Sequence, residues 1–91
     1  MKLRLNQPRG IALGGDRILF IADSNNQKIR RLDLVKARLT TVAGTTKGFS
    51  GDGGPAGSAQ LYQPRGLTVT PQGDLLIADT LNNVIRIVSN N

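Results

Sequence analysis

Apolar residues occur in short runs bounded by Gly, Pro, Asn, Asp or Ser, and no segment keeps a 3.6-residue apolar period over ten residues. Short runs rich in Ile, Leu and Val between turn residues are typical of strands, whereas helices require the longer period. We therefore predict an all-β chain. The predicted strands, in the order a-b-c-d-a-b-c, cover residues 11–13, 18–22, 28–32, 39–42, 67–69, 75–78 and 84–88.

The same pattern occurs twice. LNQPRGIAL at 5–13 returns as LYQPRGLTV at 61–69, and LFIADSNNQKIRRL at 19–32 returns as LLIADTLNNVIRIV at 75–88. Both stretches are shifted by 56 residues, as from Gln7 to Gln63, and no gap is needed. A repeat of this length indicates units that bury their faces against one another.

Turn residues separate the predicted strands. TPQG at 70–73 has Pro and Gly where a type I turn prefers them, and GGDR occupies the same place in the first copy. SNNQ and TLNN, between strands b and c, carry asparagines, which tolerate positive φ. The strand residues predicted to form the core include Ile21, Ile29, Ile77 and Ile85.

Four-stranded antiparallel units in tandem are typical of β-propeller blades. The motifs QPRGIAL, LFIADSNN, TTVAG, GFSGDGGPA, QPRGLTV and LLIADTLNN resemble the NHL repeat family over nearly the whole chain. This resemblance implies a β-propeller that binds proteins or RNA, and some relatives of the family are enzymes. The implied fold is a partial propeller of about two antiparallel blades.

We expect one partial propeller domain over residues 1–91. Its first blade covers 5–43, a connector loop covers 44–65, and its second blade covers 66–91 and lacks a fourth strand. Because a propeller closes with roughly four to eight blades, this chain does not close one alone. Two explanations are open: a segment of a longer propeller, or a homo-oligomer such as a trimer of two-bladed chains.

The connector contains the glycine-rich stretch KGFSGDGGPAGSAQL at 47–61. Residues 51–56 formally fit a dinucleotide-binding pattern, but that pattern requires a strand before it and a helix after it. A calcium loop requires more carboxylates than Asp52 alone. We therefore predict a structural connector that binds no cofactor, in which Pro55 opens a single helical turn and Phe49 and Leu61 contact the blades.

Composition restricts the chemistry. The chain has 12 Lys and Arg against 6 Asp and Glu, for a net charge of +6, but its basic residues are mostly isolated and its aromatic residues are few. RNA binding through a basic loop face is therefore an alternative to solvated strand faces. Without His or Cys, the commonest general base, the thiol nucleophile and the usual zinc ligands are missing. We predict no enzyme and no catalytic or metal-binding residues; a further alternative is a propeller enzyme whose catalytic residues lie outside this chain.

The strand order predicts an interaction surface. Because antiparallel strands alternate in direction, the b–c turns and the d–a connector lie at one end of the blades, and loops on rigid scaffolds commonly bind partners. We expect a protein-interaction scaffold with this candidate interaction face: Arg9, Asn25, Asn26, Lys47, Asp52, Arg65, Leu81 and Asn82. For Arg9 and Arg65, a salt bridge or backbone contact between neighbouring blades is favoured over contact with a ligand.

Two charged pairs recur in the repeat: Asp23 with Arg30, and Asp79 with Arg86. A structural role is expected for both, in which the carboxylate caps the b–c turn and meets the arginine across the hairpin. The N-terminal MKLRLNQPRG lacks the apolar run of a signal peptide, and no run of about 20 apolar residues would span a membrane. We predict no membrane contact, and the sequence does not indicate a cellular compartment.

Overall fold

The computed structural model describes residues 4–45, 47–48 and 59–89. It contains two antiparallel sheets, one with the strand order β1-β2-β3-β4 and one with the order β5-β6-β7. The strands are β1 (Gly10–Leu13), β2 (Ile18–Asp23), β3 (Lys28–Asp33), β4 (Arg38–Ala43), β5 (Pro64–Val69), β6 (Leu75–Asp79) and β7 (Val84–Val88). The predicted all-β fold and the a-b-c-d-a-b-c order are confirmed.

The hairpin turns differ between the two ends of each sheet. The β5–β6 turn is closed by the Gly73 N–H, which donates to the Thr70 carbonyl at 2.9 Å. The β2–β3 and β6–β7 turns are single 3-10 turns, Ser24–Asn26 and Thr80–Asn82. No helix in the described part of the chain is long and apolar enough to cross a membrane.

Each 3-10 turn ends in a residue with left-handed backbone conformation. These residues are Gln27, with φ 58°, and Asn83, with φ 59°. In the first copy, therefore, glutamine takes the strained position, whereas the neighbouring asparagines, Asn25 and Asn26, lie within the 3-10 turn. Of the asparagines in these two turns, which were predicted to tolerate positive φ, only Asn83 has it.

The two sheets pack face to face. Ala22, Ile29 and Ala43 of the first sheet meet Leu75 and Ile77 of the second, and Leu61 before β5 completes this buried cluster. Full burial of a Leu or Ile side chain contributes about 1.5–3 kcal/mol. The contact between the blades is therefore mainly hydrophobic.

The prediction that Ile85 belongs to the core is wrong, because its side chain is 63% exposed. Ile85 pairs with Ala78, and both lie on the face of the second sheet that is turned away from the first. The same position in the first copy, Ile29, faces the second sheet and is fully buried. Equivalent residues therefore differ in burial because only the first sheet has a neighbour on that side among the described residues.

Three polar and backbone contacts also hold the blades together. The Ser24 hydroxyl donates to the carbonyl of Pro64, and the Gln63 N–H donates to the Gln27 side-chain oxygen at 2.7 Å. A Cβ added to Gly10 would overlap the Arg65 carbonyl oxygen. Glycine at position 10 thus permits the backbones of β1 and β5 to approach closely.

Candidate interaction surface

The candidate surface is built on a buried carboxylate in each blade. In the second blade this is Asp79, which is fully buried. One oxygen accepts the Tyr62 backbone N–H at 2.7 Å, and the other accepts the side-chain amide of Asn82 at 2.8 Å and the Arg86 guanidinium at 3.0 Å. Asp79 therefore joins the connector, the β6–β7 turn and β7.

The first blade repeats this arrangement 56 residues earlier. The fully buried Asp23 accepts the Asn6 N–H at 2.7 Å, the Asn26 side-chain amide at 2.8 Å and the Arg30 guanidinium at 3.1 Å. Both ion pairs thus lie within their own repeat. One difference is that the Arg30 side chain is 22% exposed, whereas that of Arg86 is only 8% exposed.

Backbone hydrogen bonds attach the incoming chain to each turn. The Asn25 N–H donates to the Asn6 carbonyl, and the Leu81 N–H donates to the Tyr62 carbonyl, both at 3.0 Å. Asn6 and Tyr62 therefore each bind the turn through their carbonyl and the buried carboxylate through their N–H. This pairing fixes the position of the turn relative to the preceding segment.

The two described ends of the connector run beside each other. Lys47 forms a parallel bridge with Leu61, and the Gly48 N–H donates to the Leu61 carbonyl at 3.0 Å. The Gly48 carbonyl in turn accepts the Asn82 side-chain amide at 2.7 Å. The connector ends, the β6–β7 turn and Asp79 therefore form one hydrogen-bonded network.

The predicted face residues divide into two groups. The half-buried Asn25, Asn26 and Asn82 are engaged in this network. The exposed members are Arg9, Lys47, Arg65 and Leu81, and with Tyr62 they define what we call the loop face.

Among the described residues, the exposed side chains of the loop face make few contacts. Arg9 donates to the Gln7 side chain at 2.8 Å, and the Lys47 ammonium lies 5.8 Å from the centre of the Tyr62 ring. Leu81 is 48% exposed. Asp52 lies outside the described residues, as do Phe49 and Pro55.

Several residues that shape this end of the molecule were not predicted. Tyr62 contributes both its backbone and its ring, Gln27 bonds to the next blade, and Gln7 and Gln63 adopt φ values of 50° and 52°. The sequence feature that could have indicated a special role for Gln7 and Gln63 is that glutamine occurs at this position in both copies of the repeat. Within residues 4–45, 47–48 and 59–89, no group of three His, Cys, Asp or Glu side chains is placed to hold a metal ion.

Asp33, a carboxyl group whose pKa is clearly shifted, lies at the end of the first sheet opposite the loop face. The Asp33 carboxylate accepts the N–H groups of Val35 and Lys36, both at 3.0 Å. These hydrogen bonds, chiefly that from Lys36, lower the pKa of Asp33 below its ordinary value of 3.8. This carboxylate belongs to the β3–β4 turn and not to the loop face.

The chain is similar to several much longer proteins. It is 42% identical over 87 residues to the chloroplastic Protein SUPPRESSOR OF QUENCHING 1 of Arabidopsis thaliana, and this match covers 96% of the chain but 8% of that protein. It is 33% identical to mouse Teneurin-1, over 96% of the chain and 4% of that protein. It is 34% identical to bovine NHL repeat-containing protein 2, over 93% of the chain and 12% of that protein. The chain thus spans a small part of each relative.

Solved structures share the fold. A Bacteroides thetaiotaomicron protein of unknown function is 25% identical, with a TM-score of 0.77 over 89% of this chain and 20% of its own. An auxiliary nutrient binding protein from the same organism is 24% identical, with a TM-score of 0.71 over 97% of this chain and 24% of its own. Residues 61–88 match the NHL repeat model. Together with the doubled motif and the blade-like sheets, these matches identify residues 61–88 as an NHL repeat and show that the chain is similar to NHL repeat proteins.

Proposed function

We propose that this NHL-repeat propeller segment is a non-catalytic scaffold that binds a protein partner through the loop face. The observation that carries the proposal is the support beneath this face: the turns and connector ends are hydrogen-bonded to the buried carboxylates Asp23 and Asp79. A surface that is already ordered loses little conformational entropy on binding. Loops held on a rigid scaffold are common binding sites.

The exposed side chains indicate the chemistry of the partner. Arg9, Lys47 and Arg65 are cationic, and Leu81 is an apolar side chain among them. The carboxylates of Asp23 and Asp79 are buried and paired, so they do not offset these cations at the surface. An acidic peptide segment with an apolar side chain opposite Leu81 fits this surface, because complementary charges favour encounter and orientation.

RNA is a weaker fit to the same surface. Single-stranded RNA requires aromatic side chains on which successive bases stack. Among the described residues of the loop face, Tyr62 is the only aromatic side chain, and Lys47 lies over its ring. We therefore favour a protein partner and treat RNA binding as an outcome that the experiment distinguishes.

In the experiment, peptides that bind the 91-residue chain are selected from a display library of acidic sequences. The affinity of each selected peptide for the chain is then measured by fluorescence anisotropy. Leu81→Ser is expected to weaken binding about tenfold, or about 1.4 kcal/mol. Val35→Ser is the matched control, because Val35 is an exposed apolar residue of the β3–β4 turn at the opposite end of the first sheet.

Two results would contradict a peptide site on the loop face. One is that no acidic peptide binds; the other is that Leu81→Ser and Val35→Ser weaken binding equally. A single-stranded RNA probe is titrated in parallel at low and moderate salt. RNA binding that falls steeply with salt and is lost in the Arg9→Ser, Arg65→Ser double variant would favour the nucleic acid if the peptides fail to bind.

A further inference from the structure

Each sheet has one apolar face that the other sheet does not cover. On the outer face of the first sheet, Ile11 and Leu13 are 66% and 72% exposed. On the open face of the second sheet, Ile85 and Ile87 are 63% and 65% exposed. We call these the outer face and the open face. They lie on opposite sides of the sheet pair, and these four apolar side chains do not belong to the loop face.

The repeat relates these two faces to the contact already present within the chain. In that contact the first sheet contributes Gly10, Ala22, Ser24, Gln27 and Ile29. Adding 56 to each number gives residues of the second blade on the side of the open face. These counterparts are Gly66, Ala78, Thr80, Asn83 and Ile85.

The complementary half is repeated as well. To the contact within the chain, the second blade contributes Gln63, Pro64, Arg65, Leu67 and Ile77. Subtracting 56 from each number gives residues of the first blade on the side of the outer face. These counterparts are Gln7, Pro8, Arg9, Ile11 and Ile21. Apart from the part contributed by β4, whose Ala43 has no counterpart among residues 1–91, one chain therefore carries both halves of this interface a second time, on faces that the contact within the chain does not use.

The chemistry of the contact is retained at these counterparts. Thr80 has the hydroxyl donor of Ser24, and Asn83 has the side-chain oxygen of Gln27 on a residue with the same left-handed backbone. Gly66 is the most informative of them. A Cβ added there would meet only the Ala78 Cβ, at 3.3 Å, among the atoms of this structure. Among the described residues, therefore, no backbone fills the space that glycine leaves at position 66.

We propose that the open face of one chain docks on the outer face of a second copy and reproduces the contact between the two blades of a single chain. In this contact Ile85 is buried, Gly66 lies against the Arg9 carbonyl of the other copy, and the Thr80 hydroxyl donates to its Pro8 carbonyl. The contact is heterologous, because different surfaces of the two copies meet. This proposal does not depend on the proposed function, and the one residue that both use is Arg9, through its backbone carbonyl here and through its side chain on the loop face.

A second copy suits these faces better than an unrelated apolar partner. A generic hydrophobic surface would cover Ile85 and Ile87 but has no reason to match Gly66, Thr80 and Asn83 in spacing. The outer face supplies the Arg9 and Pro8 carbonyls and the Gln7 N–H at the spacing that the contact within the chain uses. Several changes alter the fit: Ala12, Phe20 and Arg31 are replaced by Thr68, Leu76 and Ile87.

The test compares the mass of the wild-type 91-residue chain with that of three variants by light scattering across a concentration series. The wild-type mass is expected to rise above 9.7 kDa with concentration. Ile85→Asp and Ile11→Asp each block one half of the interface in every copy, so each is expected to stay monomeric. Val35→Asp is the matched control and is expected to associate like the wild type, since Val35 is 69% exposed but lies on neither face.

Mixing the two blocked variants gives the most specific result. The Ile11→Asp chain has an intact open face and the Ile85→Asp chain has an intact outer face, so the mixture forms one productive contact and stops at a dimer. Circular dichroism shows whether each variant is folded. A monomeric wild type at all concentrations, or a mixture that stays monomeric with both variants folded, would overturn the proposal.

A cross-linking experiment keeps the proposal testable if the aspartate variants unfold. The chain has no cysteine, so Gln7→Cys and Asn83→Cys can be introduced into separate copies. A short thiol cross-linker is expected to give mixed dimers from this pair and none from Val35→Cys with Asn83→Cys. Equal yields from the two pairs would contradict the docking geometry.

Discussion

Replacing Asp79 with alanine tests whether the buried carboxylate supports the second blade. The substitution removes the acceptor of hydrogen bonds from Tyr62, Asn82 and Arg86. It also removes the Asp79 carboxylate from its ion pair with Arg86, which is 8% exposed and whose guanidinium also donates to the Gln60 carbonyl at 3.1 Å. Removing one partner of a buried ion pair typically costs about 3–5 kcal/mol. Because small domains are stable by only about 5–15 kcal/mol, this loss is a large share of the total.

The first blade provides an internal comparison. Asp23→Ala removes an equivalent set of hydrogen bonds, but the arginine left behind is 22% exposed and reaches water more easily. We therefore expect Asp23→Ala to cost about 1 kcal/mol less than Asp79→Ala, since the uncompensated charge is better solvated. Adding Arg86→Met to Asp79→Ala removes the buried guanidinium charge and is expected to recover about 1–3 kcal/mol of the free energy of unfolding.

The assay is urea unfolding followed by far-UV circular dichroism, with the free energy of unfolding extrapolated to water. All variants are made in the Ile85→Asp background, so that association between copies does not contribute. The reasoning is refuted if Asp79→Ala lies within about 1 kcal/mol of its parent, or if Arg86→Met adds further loss instead of recovering stability. A larger cost for Asp23→Ala than for Asp79→Ala would refute the argument from arginine burial.

Two further predictions concern other parts of the fold. Gly10→Ala is expected to destabilise the chain by about 1–3 kcal/mol, because the new Cβ overlaps the Arg65 carbonyl. The control, Gly66→Ala in the Ile85→Asp background, is expected to destabilise it less. Equal losses of unfolding free energy in urea would argue against close packing of β1 on β5. Asp33 has a pKa below 3.8 in the folded chain, so its contribution to stability is present above the unfolded pKa and is lost as pH falls through the folded value. The stability difference between the parent and Asp33→Asn should therefore shrink on acidification from neutral pH to about pH 2.5, and a pH-independent difference would show that the turn does not stabilise the ionised carboxylate.

Features confined to one repeat were predictable from sequence. The strands follow from short apolar runs between turn residues, and the fold class follows from their order. The contacts among the Asp, Asn and Arg residues of each repeat also follow from the structure of a single hairpin. A 3-10 turn brings Asn26 back to Asp23, and the register that pairs Asp23 with Lys28 places Arg30 along the same strand. A hairpin contact between the carboxylate and the arginine can therefore be inferred from this spacing alone.

Features that depend on the position of one sheet against the other were not predictable. Ile29 and Ile85 are the same residue type in the same pattern, and only the neighbouring sheet makes one buried and the other exposed. The bond from the Gln63 N–H to Gln27 and the approach of Gly10 to Arg65 likewise depend on how the sheets dock. No local pattern encodes these contacts, since their partners lie in different copies of the repeat.

The buried carboxylates also bear on the order of folding. The partners of Asp23 lie 17, 3 and 7 residues away along the chain, whereas the bonds from Gln63 to Gln27 and from Ser24 to Pro64 span 36 and 40 residues. Contacts between near neighbours require less loop closure and form earlier than distant ones. Each hairpin with its carboxylate is therefore expected to form in the transition state before the sheets dock. A substitution that removes the hydrogen bonds of Asp23 should slow folding, whereas one that removes the bond from Gln63 to Gln27 should mainly speed unfolding.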